Sequence, residues 1–282
     1  MLRIYVDPKK KEKASMQNSE KISLFENLFG LKGKVAIVTG GAGRLGVEHT
    51  RVLSQAGATV CSLDVHSNSA LQDIAQQFIV DIGNRNAVAQ TVKNIGEEYG
   101  RIDILINNAG VNPPPGKKSD HSAPYEEFGE DLWRQEFDVG IHGAMWCTQA
   151  VAPFMKRQAS GVIINIASDL ALIAPDNRIY EKGKFKSPAY ATVKAALLGF
   201  TRSWASYFAT EAPGVRVNAV CFGGVNFGEM KEPFLSKFSR LNMVGKPALP
   251  DSYHGTILYL CGKASEHMTG SVLVIDGGRT AW

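Results

Sequence analysis

Apolar residues in this chain fall in short unbroken runs, and longer amphipathic stretches separate them. Positions 35–38 (VAIV), 59–63, 78–80, 104–106, 161–166, 215–220 and 272–275 each read as a strand. Such runs suit strands covered on both faces, where neither side needs polar alternation. Between them, helical spacing predicts helices over 45–56, 84–99, 132–154, 190–210 and 250–261, and residues 22–29 are also helix-compatible. Gly57 ends the first of these, and the span 132–154 is read as one helix despite Gly140 and Gly143. Strand and helix alternate throughout, which predicts an α/β fold: a single-domain, Rossmann-like, doubly wound parallel sheet with helices on both faces. Ligands in such folds bind outside the carboxyl ends of the strands.

The chemistry-bearing residues cluster at those strand ends. After the first strand comes a turn with Gly40, Gly41, Gly43 and Gly46, leading into a helix at Leu45. Glycine lets backbone approach a phosphate, and the helix start offers free N–H groups, so the turn suits a dinucleotide pyrophosphate. Taken alone, the same string also fits a hairpin or bulge. Asp64 closes the second strand 24 positions after Gly40, near the spacing at which an acidic residue meets the adenosine ribose. Asp81 ends the third strand, either as an acceptor for the adenine amino group or as the N-cap of the following helix. Asn107, Asn108, Ala109 and Gly110 end the fourth. The asparagines can tie neighbouring backbones, the small residues leave room for a flat ring, and Pro113 to Pro115 then impose an extended loop. Ser168 follows the fifth strand, where a lone serine is ordinarily a turn residue. Tyr190 and Lys194 share one face of the next helix at i and i+4. Beyond the sixth strand the segment 222–228 is glycine-rich, and the polar, Phe-rich stretch to Gly245 is expected to be mobile.

Charge adds little to this picture. The formal +4 resides in residues 1–34, with eight Lys/Arg against four Asp/Glu, and the remainder is neutral. The run Lys9, Lys10, Lys11 and Lys13 fits a solvated tail better than a nucleic-acid or lipid contact, so residues 1–30 are expected to be a partly disordered basic extension and 31–282 the folded domain. No apolar run approaches the ~18 residues of a membrane span, and no signal peptide is evident. A cytoplasmic protein without membrane or nucleic-acid partners is expected. Cys61, Cys147, Cys221 and Cys261 lack CxxC spacing, which favours buried reduced thiols and gives no metal site.

The ordered set of glycine turn, Asp64, Asn107-Asn108-Ala109-Gly110, Ser168, Tyr190-x-x-x-Lys194, Arg216-Val217-Asn218 and Asp276-Gly277-Gly278 resembles the short-chain dehydrogenase/reductase family over about 31–282. The resemblance implies a nicotinamide cofactor and hydride transfer between a secondary alcohol and a carbonyl. It makes Ser168, Tyr190 and Lys194 catalytic. It assigns cofactor binding to Gly40, Gly43, Arg44, Leu45, Asp64, Asp81, Ile82, Asn108, Ala109, Gly110, Tyr190, Lys194, Gly223 and Val225. A phenol of pKa ~10 is a poor base at neutral pH. Lys194 is therefore expected to lower the pKa of Tyr190, and by resemblance to bind the nicotinamide ribose, while Ser168 holds the substrate oxygen. A second pair at the same spacing, Tyr180 and Lys184, sits among loop residues and is rejected. Asp64 favours NAD over NADP because its carboxylate repels a 2′-phosphate, with Arg44 as the counterargument. By resemblance the chain pairs through its long helices into a homodimer or homotetramer.

Three departures from the family pattern stand out. Arg44 occupies the usual second glycine, Gly140 replaces the proton-relay asparagine with His142 nearby, and Phe222 replaces a proline before Gly223. They motivate two alternatives: a catalytically silent dinucleotide-binding protein, or an epimerase/dehydratase with tightly held NAD. Ser168 and Tyr190 are also 22 positions apart, longer than is usual in the family. The extra residues, within 175–188, mix Arg and Lys with Tyr and Phe, which suits an anionic ligand; a solvated loop is the alternative. Arg178 and Tyr180 are the substrate candidates there. The arrangement resembles a subgroup associated with bacterial cell-surface sugar biosynthesis, which points to a sugar or nucleotide-linked sugar.

Overall fold

The structure, a computed structural model, describes residues 23–112 and 120–282. The lysine run at Lys9 to Lys13 and the prolines at Pro113 to Pro115 lie outside the described residues. Strands β1 (Val35–Thr39), β2 (Thr59–Asp64), β3 (Gln76–Ile79), β4 (Ile104–Asn107), β5 (Gly161–Ser168), β6 (Val215–Phe222) and β7 (Val272–Ile275) form one sheet. Its order is β3-β2-β1-β4-β5-β6-β7 and every pairing is parallel. The order reverses between β1 and β4, and that is where a doubly wound sheet opens a crevice at its carboxyl rim.

The helices are α1 (23–29), α2 (Arg44–Gln55), α3 (Arg85–Tyr99), α4 (Glu130–Phe137), α5 (Gly143–Gln158), α6 (Pro188–Glu211), α7 (Phe234–Ser239) and α8 (His254–Cys261). Alternate strand residues point to opposite faces, so the sheet builds two cores. Ile37, Cys61, Leu105, Ile163 and Val217 face one side, with Val92 and Ile95 of α3, Val151 and Met155 of α5, and Phe208 of α6. Ala36, Val38, Val60, Ile106 and Ile164 face the other, against Val52 and Leu53 of α2 and Ile257 and Leu260 of α8. A strand buried twice has no position for an exposed polar residue, which is why these runs are continuous in sequence. All four cysteines are buried and free.

Several element boundaries differ from the sequence expectation, each for a local reason. β3 starts at Gln76, because edge-strand residues on the open side tolerate glutamine. Asn84, not Asp81, caps α3: its Oδ1 accepts from the amides of Asn86 and Ala87, at 3.1 Å each. Asp81 Oδ1 is bonded to the amide of Gly83 instead. Helix 132–154 is a composite, with α4 and α5 joined through a π turn at Asp138–His142. α8 begins at His254 because residues 250–253 form a turn, and the stretch before Gly245 contains α7.

Candidate active site

The carboxyl rim opens into a cleft of about 2070 Å³ that runs from Asp64 and Asp81 at one end to Tyr180 and Arg279 at the other. Near its middle α2 begins without a side-chain cap and without an acid in its first turn. The first amides of a helix have no intrahelical acceptor, so this end presents free donors to an anion. The turn is tight enough to require glycine: a Cβ on Gly46 would lie 2.0 Å from the carbonyl oxygen of Gly40. Asn108 fastens the same turn to β4, its Nδ2 donating to the carbonyls of Thr39 (2.9 Å) and Gly40 (3.1 Å). Asp64 faces the cleft while accepting from the amides of Ala42 and His66, both at 3.1 Å. Uncapped amides, a close-packed glycine turn and a carboxylate beyond them fit a dinucleotide lying along the cleft.

The chemistry sits where β5 meets α6. Pro188 opens α6 at a position where its missing N–H costs nothing, and Ser187 caps it by accepting from the amide of Tyr190 at 3.2 Å. The cap thus fixes the start of the helix at the residue that carries the phenol. Ser187 Oγ in turn donates to Glu136 Oε1 of α4 (2.7 Å), which also bonds His121 Nδ1 (2.9 Å). Deeper down, Asn107 Nδ2 donates to Asn165 Oδ1 (2.8 Å) and Thr148 Oγ1 (3.2 Å), while Asn165 Nδ2 donates to Thr201 Oγ1 (2.8 Å). This buried polar ladder locks β4, β5, α5 and α6 in register beneath the site.

Ser168, Tyr190 and Lys194 converge on the cleft wall. Ser168 Oγ donates to Asp169 Oδ1 at 2.7 Å, and Asp169 Oδ2 lies 3.0 Å from Arg279 Nη1. Lys194 Nζ is buried and donates to the carbonyl of Ile166 at 2.6 Å. The electrostatics correct one expectation. Burial, followed by the field of Asp169, raises the Tyr190 pKa, and the hydrogen bond with Ser168 is the contribution that lowers it. Lys194, 5.7 Å from the ring centroid, is itself lowered to about 8 by burial. The protein alone therefore keeps Tyr190 a neutral phenol. An oxidised nicotinamide supplies a hydride acceptor and a positive charge when bound, and that charge favours the phenolate.

The short chain dehydrogenase family profile matches residues 34–237, across the glycine turn, Ser168, Tyr190 and Lys194. The chain belongs to the short-chain dehydrogenases. The chain is 29% identical over 261 residues to the 3-oxoacyl-acyl-carrier-protein reductase FabG of Thermotoga maritima, covering 88% of this chain and 98% of that one. Among solved structures, a short-chain dehydrogenase from Leptospira borgpetersenii with bound NAD+ is similar, with a TM-score of 0.80 and 27% identity. That match covers 91% of this chain and 95% of the other. So is a gluconate 5-dehydrogenase from Burkholderia cenocepacia in complex with NADP and tartrate, with a TM-score of 0.79 and 25% identity, covering 91% and 99%. The chain is thus an oxidoreductase that uses a nicotinamide dinucleotide to act on CH–OH groups.

Of the residues expected from sequence, the three catalytic candidates and every cofactor candidate from Gly40 to Val225 line this short-chain dehydrogenase cleft. Arg178 does not. Its guanidinium is 90% exposed and is held by Asp176, so it points away from the site. Tyr180 does reach the cleft, packed on Phe234 with ring centroids 5.5 Å apart. Tyr180 and Lys184 share no helix, since Tyr180 follows a short 3-10 turn. His142 is exposed, paired with Asp138 at 2.8 Å and off the cleft, so it offers no relay to Lys194. Gly140 is explained by packing: a Cβ there would stand 2.3 Å from Val193 Cγ1 on α6. Phe222 stacks on Tyr253 at 3.8 Å between centroids, and Tyr253 donates its hydroxyl to the Gly223 carbonyl (2.9 Å), which holds that loop in place. Arg44 reaches over the cleft, paired with Glu229 and resting on Phe227. Glu136, Asp169, Lys186, Glu229 and Arg279 were not singled out from sequence. Only Arg279 had a local signal, standing directly after the Asp276-Gly277-Gly278 turn.

Proposed function

We propose that the chain is an NAD-preferring dehydrogenase of a polyhydroxylated, sugar-like substrate, with Tyr190 as the proton-transferring group. Ser168 positions the reacting oxygen and shares a hydrogen bond that favours the Tyr190 phenolate, while Lys194 orients the cofactor ribose. The observation that carries this is the convergence of Ser168, Tyr190 and Lys194 in the cleft that the uncapped α2 terminus opens into. In oxidation, the carbinol proton passes to Tyr190 as the hydride leaves carbon; reduction runs the same transfer backwards. Asp64 supports NAD, since its carboxylate suits a 2′-hydroxyl. Arg44, the one argument for NADP, is taken up by Glu229 across the cleft. The sugar-like class is supported by the similar gluconate 5-dehydrogenase. A cytoplasmic location and pairing through α5 and α6 complete the proposal, the pairing to be checked by sedimentation at micromolar concentration.

The test is a turnover screen with NAD and NADP over sugars, sugar acids, nucleotide sugars and simple alcohols, repeated with Tyr190→Phe. Loss of turnover with NAD binding retained is expected. Full activity in Tyr190→Phe would overturn the mechanism, and tightly retained NAD without net nicotinamide reduction would move the chain to the epimerase class.

A further inference from the structure

Beside Tyr190 stands a second lysine, and its backbone is pinned on both sides. The amide of Lys186 donates to Asn177 Oδ1 at 2.9 Å, and the next residue is the Ser187 cap bound to Glu136. From that fixed origin the ammonium reaches into the cleft and lies 3.8 Å from the centroid of the Tyr190 ring. Its hydrogen-bond partner is the neutral Asn112 Oδ1, at 2.5 Å. The contrast with nearby guanidinium groups is sharp: Arg44 is paired with Glu229, Arg178 with Asp176 and Arg279 with Asp169. Among the described residues no carboxylate is within ion-pair distance of Lys186. A cation beside the reacting phenol that leans on an aromatic face and a neutral amide is available to an incoming anion.

We propose that Lys186 is a specificity-determining residue that receives a carboxylate of the substrate next to Tyr190, so that the preferred substrate is a hydroxy-acid anion rather than a neutral alcohol. This rests on Tyr190 being the reacting centre. A carboxylate, which puts one charge rather than two on the group that meets the ammonium, suits the site better than a dianionic phosphate, because Asp169 and Glu136 already place negative charge close enough to act on Lys186. The role expected of Arg178 thereby passes to a residue eight positions further along the same insertion.

Burial lowers the Lys186 pKa to about 8, against the pull of Glu136 from α4 and Asp169 from the turn after β5; Lys194 of α6 and Arg44 of α2 lower it further. Anion binding that depends on this ammonium fades as pH rises through that value. The probes are tartrate and threitol, which share a carbon skeleton and differ in charge, titrated calorimetrically into the full chain saturated with NAD. At pH 7, tartrate is expected to bind at least tenfold more tightly than threitol. Lys186→Met should remove that difference, and Lys186→Arg should keep most of it, with NAD affinity reporting that both variants are folded. Raising the pH to 9 should weaken tartrate binding to the parent more than to Lys186→Arg, the loss common to both being that of Lys194, which titrates in the same range. Equal tartrate affinity in parent and Lys186→Met, or no tartrate binding by the parent, overturns the proposal. Tartrate binding that depends on Lys186, with no alcohol turned over, counts against the dehydrogenase assignment and leaves this site standing.

Discussion

Restoring the family's asparagine at position 140 should destabilise the protein rather than improve it. Gly140 sits in the π turn between α4 and α5, and a Cβ added there lands 2.3 Å from Val193 Cγ1, well inside contact distance. Val193 is buried on α6, and a β-branched side chain in a helix has little rotamer freedom with which to retreat. Overpacking of this kind costs about 1–3 kcal/mol. Replacing a helical glycine by asparagine, itself a weak helix former, returns only about 0.3 kcal/mol. Gly140→Asn should therefore lose about 1–3 kcal/mol, which for a chain of this size is a fall in Tm of roughly 2–12 °C. Val193→Ala removes the obstructing methyl, so the double variant Gly140→Asn/Val193→Ala should be more stable than the sum of the single effects by about 1 kcal/mol or more. Urea denaturation of the four proteins at pH 7, followed by far-ultraviolet circular dichroism, measures each quantity. Strict additivity, or a Gly140→Asn variant as stable as the parent, would show that the helices part without cost and that packing is not why glycine stands there.

Three further outcomes are expected. His49 is buried with neither ring nitrogen partnered, and burial, then the charge of His254, lowers its pKa from 6.5 to about 3. Between those values the unfolded chain binds a proton that the folded one does not, so stability is lost as pH falls below 6.5, by up to about 1.4 kcal/mol per unit from this group. Urea midpoints at pH 7 and pH 5 should diverge less in His49→Leu than in the parent, and an unchanged difference refutes the assignment. Glu136→Ala strands Ser187 and His121 and should cost about 1–3 kcal/mol, whereas Glu136→Gln keeps an acceptor and should cost less; chemical denaturation ranks them. Asp64→Asn should narrow the preference for NAD over NADP, read as the ratio of their dissociation constants, and an unaltered ratio shows that Asp64 does not set it.

The sheet and the places of its strands were legible because doubly buried strands write themselves as unbroken apolar runs, whereas the order of those strands came only with the structure. β5 is buried along its whole length and was found within two residues of its end. The edges were less legible. At Gln76 one flank of the strand is open, and the sequence loses the signature that marks the centre. The catalytic residues were legible because their spacing is local: one helical turn separates Tyr190 from Lys194. What surrounds them was not, since Asp169 meets Arg279, and Glu136 meets Ser187, only through tertiary folding. Choosing Arg178 over Lys186 within the insertion was a judgement about chemistry without direction. Both are cations on a loop, and only the backbone path decides which one turns inward.

The ion pair between Asp169 and Arg279 also has a consequence for how the molecule assembles. The two residues are distant in sequence, one following β5 and the other following β7, so their contact closes a long loop, and the entropy of closing it must be met before the contact contributes. Until β7 docks on β6, the Asp169 carboxylate next to Ser168 has no guanidinium to answer its charge, and a charge without its partner resists burial. The catalytic wall is thus completed only with the last strand of the sheet. Refolding followed by two probes, intrinsic helix signal and NAD-dependent turnover, should separate in time, with recovery of turnover the slower of the two.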